Sequence, residues 1–297
     1  MRFGVALDLH APATQAREVA WQNLRDQALE AERVGLDIVV VPDHLAYRAG
    51  GEGDYAIQGQ PVGARESFAV AAALAASTTT IDVGHSMVNA PYRTPAMLAH
   101  LAATVTDVAG GRYSLGIGVG NSFDYDQLGV AADQRVARFE ECVEIVCGML
   151  TTGSVDVMGN HWSASRAELV LRPSPDCRPP IVVAAGGPRT MRTAVRFGDS
   201  WNGWCPTDPA SSVPTDLVRL LGDTCEQLGR DPVEIGRTFD LGVDPLDLRG
   251  KRNQSLKVLA RLADLGADEV RCYPASTGTH AAKMEAIVAL AELAREV

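Results

Sequence analysis

The sequence predicts a single α/β domain over residues 1–297: a (β/α)8 TIM barrel with insertions at about 45–65 and 152–180 in the loops of its C-terminal face. Three observations predict it. Eight short, β-branched runs alternate with longer amphipathic stretches. Several of those runs are almost continuously apolar, as suits parallel strands covered by helices. No linker or low-complexity segment interrupts the alternation near the middle of the chain.

The expected strands are "FGVALDL" (3–9), "DIVVVPD" (37–43), "IDVGHSMV" (81–88), "RYSLGIGVG" (112–120), "IVVAAG" (181–186), "SWNGW" (200–204), "GRTFDLGV" (236–243) and "DEVRCYP" (268–274). Between them lie helical stripes. Ala20, Leu24, Ala28, Ala31 and Val34 recur at helical spacing, and Gly35 stops that helix. Thr94 caps and Pro95 opens the third helix, because proline is tolerated at the first helical position. Phe139, Val143, Val146 and Leu150 mark the fourth. Leu256, Leu259 and Ala263 mark the seventh, and Met284, Ile287, Val288 and Ala291 the last. The Gly-rich stretch 45–65 follows strand two. The stretch 152–180, with a short hairpin, precedes strand five. Loops of this length often cover a site.

A formal charge of −10 argues against broad contact with nucleic acid or an anionic membrane, while a local basic patch would still hold a phosphate. Met1 leads directly into "RFGVALDL", and no stretch approaches the apolar length of a membrane span, so a cytoplasmic protein is expected. The six cysteines form no Cys-x-x-Cys, and the six histidines show no metal spacing. Reduced thiols and no metal are expected.

In such a barrel, chemistry gathers at the C-terminal ends of the strands. That rim collects Asp8, His10, Asp43, His44, Ser86, Met87 and Asn89 from the first three strands. Gly118, Gly120, Asn121, Gly186, Gly187 and Trp204 come from the next three. The stretch "SLGIGVGNSFDYDQLGV" (114–130) is not a dinucleotide loop, because Gly-x-Gly-x-x-Gly fails from both Gly116 and Gly118. Its glycines instead let a planar or anionic ligand approach the backbone. Gly116 lies deeper and reads equally as a packing glycine. In "VVAAGGPRTMRTAVRFGDSWN" (182–202), Gly186 and Gly187 free the backbone before a helix opened by Pro188 and Thr190. Unpaired N–H groups there favour an anion such as phosphate, with Arg189 and Arg192 adding charge. Asp43-His44 ends strand two; a histidine beside a carboxylate suits a proton relay, and the same pair also reads as a loop cap.

Together, "VVVPDH", "GHSMVNAPYRTPAMLAH", "GGRYSLGIGVGNSFDYDQLG" and "PPIVVAAGGPRTMRTAVRFGDSWN" resemble the bacterial luciferase-like flavin and deazaflavin oxidoreductases over nearly the whole chain. The stretch "GVGNSFDYDQLG" looks most like the methylenetetrahydromethanopterin reductase branch. The resemblance implies a flavin-like ring across the barrel mouth and, in the branch using coenzyme F-420, a non-proline cis peptide at Ser86–Met87 behind it. It implies that Asp43 contacts the deazaflavin edge and that His44, oriented by Asp43, is its catalytic neighbour. Gly118, Gly120, Asn121, Gly186 and Gly187, with Ser86, Met87, Asn89, Asp124 and Arg189, then form the cofactor shell. Two positions depart from the pattern: Asn121 stands where some deazaflavin dehydrogenases carry a glutamate acid, and Arg48 where they carry tryptophan. Asp124 or Tyr125 is the nearby polar substitute.

The expected activity is F-420-dependent reduction of a C=N or activated C=C bond in a small organic substrate. The alternatives are an FMN-dependent monooxygenase and a non-catalytic flavin-binding barrel. The acidic tail of F-420 favours basic residues near the mouth, such as Arg48, Arg65, Arg189 and Arg192. The resemblance further suggests a homodimer, with the Ala-rich stretch 67–77 able to pack closely on a copy.

Overall fold

A computed structural model describes residues 1–12, 15–45, 62–120, 125–205, 214–275 and 278–297. Eight parallel strands close into a ring: β1 (Arg2–Ala6), β2 (Ile38–Val41), β3 (Asp82–His85), β4 (Tyr113–Gly118), β5 (Ile181–Ala184), β6 (Ser200–Cys205), β7 (Gly236–Leu241) and β8 (Glu269–Cys272). Each pairs with the next, and the ring shuts where Phe3 of β1 stands beside Val270 of β8. Eight helices alternate with them: α1 (Arg17–Val34), α2 (Ser67–Ser77), α3 (Pro95–Val108), α4 (Arg135–Thr152), α5 (Pro188–Phe197), α6 (Thr215–Leu228), α7 (Arg252–Asp264) and α8 (His280–Ala294). The expected single barrel is the observed fold.

All eight expected strands exist, but several stop short at their C-terminal ends. Leu7 and Leu9 are fully buried, yet they leave the β1 ladder. Apolar runs report burial, and at a barrel rim the chain stays buried after its pairing ends. The run at 81–88 is broken after His85, and Val88–Asn89 resumes beside β4 opposite Ile117 and Gly118. The peptide between Ser86 and Met87 is cis, as the resemblance implies.

The helix stripes pack on the ring largely as spaced. Gly35 takes the left-handed conformation (φ 85°) that ends α1. Pro95 opens α3 behind Thr94. In α7 the buried face is Val258, Leu259 and Leu262, with Ala263 exposed, so the expected stripe is one position out of phase. In α8 the core positions are Ala286, Ile287, Leu290 and Leu293, and Met284 and Val288 are half-buried. Helix α2 buries Phe68, Ala71, Leu74 and Ala75 against the barrel. No helix among the described residues is long and apolar enough to cross a membrane.

The insertion at 152–180 does not sit at the C-terminal face. It joins the end of α4 to the start of β5, which places it at the opposite end of the barrel. Its antiparallel hairpin, Ser154–Met158 with Ser163–Glu168, docks on α4 instead of covering the rim. Glu141 of α4 accepts the turn's backbone N–H groups from Asn160, His161 and Trp162 at 3.0, 2.9 and 2.9 Å. The 45–65 insertion does follow a strand. Its end, Val62–Ala64, pairs antiparallel with His10–Pro12 at the rim, and 46–61 lie outside the described residues.

Side-chain alternation divides the core. Val39 and Val41 of β2 join the main cluster under the helices, whereas Ile38 and Val40 face Ala6 and Tyr273. This inner wall also carries Asn202, Thr238, Asp240, Glu269 and Arg271, all buried. Buried charges on strands must be paired, and these lie directly beneath the rim cavity.

Candidate active site

A cavity of about 960 Å³ opens at the C-terminal ends of the strands, and every strand end contributes to its wall. His44, Ser86, Met87, Asn89, Gly118, Gly120 and Gly186 line it as expected from the sequence. Asp8, His10, Asn202, Trp204, Asp240 and Tyr273 complete its polar and aromatic surface. Asn121 and Asp124 lie outside the described residues.

The glycines differ in kind. A Cβ on Gly116 would stand 2.0 Å from the His85 carbonyl oxygen and 2.7 Å from Met87 Sδ, so this glycine serves strand packing. Gly120 has φ 83°, and a Cβ there would meet Asn89 Oδ1. A Cβ on Gly186 would meet nothing within 4 Å, so neither packing nor conformation requires glycine there. What it leaves is bare main chain on the cavity wall, beside the N-terminus of α5. Gly187 is set back from the wall as that helix's N-cap, and its N–H donates to Thr190 Oγ1 at 3.3 Å. Thr190 lines the cavity in its place. This arrangement suits an anionic tail, because the first-turn amides and the helix dipole both point toward it.

Arg189 does not belong to the cavity. It points outward and pairs with Glu140 of α4, in a separate surface groove of about 980 Å³ that Arg192 and Arg196 also line. The first turn of a helix carries side chains to several directions, and position 189 lies on the α4 side.

Asp43 is also displaced from its expected role. Its carboxylate is fully buried behind the wall. Arg93 grips it with Nη1 at 2.7 Å and Nη2 at 3.0 Å, Ser67 Oγ donates at 2.7 Å, and the Asn89 N–H at 3.0 Å. Burial pushes this carboxyl upward, but the bonds from Arg93 and Ser67 outweigh it and hold the pKa below its ordinary value. Asn89 Nδ2 donates to the Asp43 carbonyl at 2.7 Å. Asp43 therefore ties the ends of β2 and β3 together and sets His44 and Asn89 in the wall. It is a positioning residue, since both oxygens are taken by groups on the helix side.

Behind the same wall, His85 is completely buried, 4.3 Å from the Phe68 ring centroid, with Nδ1 2.7 Å from the Tyr113 hydroxyl. Burial pushes its pKa down to about 4 from 6.5, against the opposing pull of Asp43. The unfolded chain therefore binds a proton that the folded one refuses. The contribution is complete above about pH 6.5 and is lost as pH falls toward about 4. Urea unfolding is expected to show a loss of roughly 2 kcal/mol between about pH 7 and about pH 5. His85→Gln should flatten that slope; an unchanged slope would show that another group carries it.

Two polar clusters occupy the rest of the wall. Asp8 bonds His10 Nδ1 and takes Lys283 Nζ at 3.0 Å. Burial raises its pKa, but His10 and Lys283 prevail and keep it low, so Asp8 stays ionised. Across from β3, the Tyr273 hydroxyl donates to Asp240 Oδ2 at 3.0 Å, and Ser86 Oγ donates to the same oxygen at 2.5 Å. Tyr273 packs edge-on against Trp204, with ring centroids 5.4 Å apart. Burial pushes Asp240 upward, opposed by Arg271 and by the two hydroxyls. Asp240 and Tyr273 were not among the residues singled out from sequence. The signal was present: a carboxylate and an arginine inside the apolar runs "TFDLGV" and "DEVRCYP". Among the described residues, no cluster suited to a metal ion is found.

Residues 1–235 match the family model described as luciferase-like monooxygenase. The chain belongs to that family. Membership places it among oxidoreductases, in agreement with the resemblance read from its motifs. The F-420-dependent glucose-6-phosphate dehydrogenase of Kineococcus radiotolerans is 28% identical over 278 residues, covering 84% of this chain and 77% of the relative. The coenzyme F-420-dependent tetrahydromethanopterin reductase of Methanopyrus kandleri superposes with a TM-score of 0.71 at 16% identity, covering 98% of this chain and 97% of the other. The monooxygenase RslO1 of Streptomyces bottropensis superposes with a TM-score of 0.79 at 18% identity over the full length of both. These structural likenesses establish the shared barrel.

Proposed function

We propose that this luciferase-like protein is a coenzyme F-420-dependent reductase acting on a C=N or activated C=C bond of a small organic molecule. The observation that carries the reading is the bare cradle at Gly186, beside the α5 N-terminus, within one cavity that also holds His44 and the Ser86–Met87 bulge. Bound there, the reduced deazaflavin would supply hydride at its ring carbon. Met87, Gly118 and Gly186 would line the space for the ring, and the first-turn amides of α5 would hold the tail's phosphate. His44 shuttles a proton at its imidazole. The cavity would hold cofactor and substrate side by side at the barrel mouth.

Arg65, at the end of the 45–65 insertion, is half-buried, reaches the Leu9 carbonyl at 3.4 Å and does not line the cavity. Among the described residues, the cavity wall carries Asp8 and Asp240 and no arginine or lysine. With Asp8 paired to Lys283, this wall presents little net charge, which suits a neutral substrate better than a sugar phosphate. Glucose 6-phosphate is not expected to be turned over.

His44→Ala should leave cofactor affinity unchanged and slow oxidation of the reduced cofactor by a cyclic imine about 100-fold. Unchanged turnover with intact binding would remove His44 from the proton path.

A further inference from the structure

Resting on that reading, we infer that Tyr273 donates the proton that the substrate takes up, and that Asp240 restores it through their shared hydrogen bond. Reducing a C=N bond requires a hydride on carbon and a proton on nitrogen. The hydride comes from the reduced deazaflavin, and His44 serves the proton released as that cofactor is oxidised. The substrate's own proton needs a second source. Position 121, where some deazaflavin dehydrogenases carry a glutamate, is asparagine, which has no ionisable proton.

The ring's geometry supplies another. In an eight-membered barrel, β8 stands across from β4, so Tyr273 faces the cavity from the side opposite the Gly118–Gly120 strand end. Tyr273 is half-buried and reaches the cavity, whereas Asp240 lies deeper and is 3% exposed. Between them runs the 3.0 Å bond, with Ser86 Oγ 3.3 Å from the tyrosine oxygen. The other wall acid, Asp8, is held as a carboxylate by Lys283 and His10 and has no proton to give.

The charge balance beneath the cavity favours a proton on Asp240. The groups facing it are Arg271, Glu269, Tyr273 and Cys272 from β8, Cys205 from β6, and Ser86 after β3. Arg271, 1% exposed, is the cation nearest Asp240, and it is shared with Glu269, whose Oε2 also takes Arg2 Nη1 at 3.4 Å. Arg271 Nε bonds Glu269 at 2.5 Å, while its Nη1 stays 3.7 Å from Asp240 Oδ1, beyond hydrogen-bond reach. Asp240 Oδ1 and Arg271 Nη1, which face each other, both lack a hydrogen-bond partner. Burial raises the Asp240 pKa against the pull of Arg271 and the two hydroxyls, which favours its protonated form over that of an exposed aspartate.

The step then balances. In the protonated acid the Asp240 Oδ2–H donates to the tyrosine oxygen across the 3.0 Å bond, which frees the Tyr273 O–H for the substrate. That O–H bond breaks as an N–H bond forms on the substrate, and the Oδ2 proton passes to the tyrosine oxygen. Asp240 is left as a carboxylate and is reprotonated from solvent. The rate falls as pH rises through the Asp240 pKa, because only the protonated acid recharges the donor.

The test uses Tyr273→Phe, which keeps the ring packed on Trp204, and Asp240→Asn, an isostere without the acid proton. With 1-pyrroline as probe and reduced F-420, both should lower turnover at least about 100-fold. Affinity for the oxidised cofactor should be unchanged, and Asp240→Asn should abolish the basic limb of the pH profile. Infrared difference spectra of wild type against Asp240→Asn at neutral pH should contain a protonated-carboxyl band, whether or not any substrate is turned over. Wild-type turnover and pH profile in Tyr273→Phe would overturn the inference, and so would absence of that band. Failure of the wild type to reduce the imine would instead count against the reductase reading, while the infrared measurement still decides where the proton resides.

Discussion

Arg93→Met is expected to destabilise the protein by about 3–5 kcal/mol, because it strands the Asp43 carboxylate in the wall without its cation. The guanidinium is 11% exposed at its side chain, makes both short bonds to Asp43, reaches Glu66, and lies 4.9 Å from the Phe68 ring centroid. None of these contacts is exchanged for water at equal value when the arginine goes. The midpoint of thermal unfolding should fall by roughly 5–8 °C for a domain of this size. Asp43→Asn on the Arg93→Met background should recover part of the loss, since a neutral amide no longer needs the charge. A double-mutant cycle measures this coupling. The pH dependence has a definite sign. Asp43 has a depressed pKa, so its contribution is present above the unfolded carboxyl value and is lost as pH falls through the folded one. Arg93→Met should move that acid transition to higher pH. A variant as stable as wild type would mean that the Asp43 cluster does not organise the rim.

The second large effect separates two glycines that look alike in the sequence. Gly116→Ala places a methyl group against the His85 carbonyl, which cannot swing aside because it belongs to β3. Overpacking of this kind costs about 1–3 kcal/mol or more, and the strain falls next to Ser86–Met87. Gly186→Val meets open space in the free protein, so its unfolding midpoint should match wild type. Its cofactor affinity should drop at least about tenfold, because the new side chain occupies the cradle. Equal cofactor affinity in Gly186→Val and wild type would place the tail elsewhere.

The barrel was legible because its evidence is periodic. Eight apolar runs and their intervening stripes survive small errors of phase, as α7 shows, where the buried face is Leu259 and Leu262 instead of Leu259 and Ala263. Strand ends were less legible, since Leu7 and Leu9 remain buried after pairing stops. Among the site residues, backbone-defined positions such as Gly118 and Gly186 were readable from glycine placement alone. Side-chain direction was not. Asp43 and His44 are adjacent in sequence, yet one faces the helices and the other the cavity. Arg189 follows the Gly186–Gly187 turn but points toward α4. Partners distant in sequence were out of reach altogether. Nothing local joins Asp43 to Arg93, or Ser86 to Asp240, 154 residues away.

The central claim is tested most directly by titrating the purified protein with oxidised coenzyme F-420, and separately with FMN, following fluorescence. Saturable binding of F-420, weakened by Gly186→Val with no change in unfolding midpoint, is the predicted result. Tight binding of FMN with none of F-420 would contradict the choice of cofactor, and binding of neither would contradict the site.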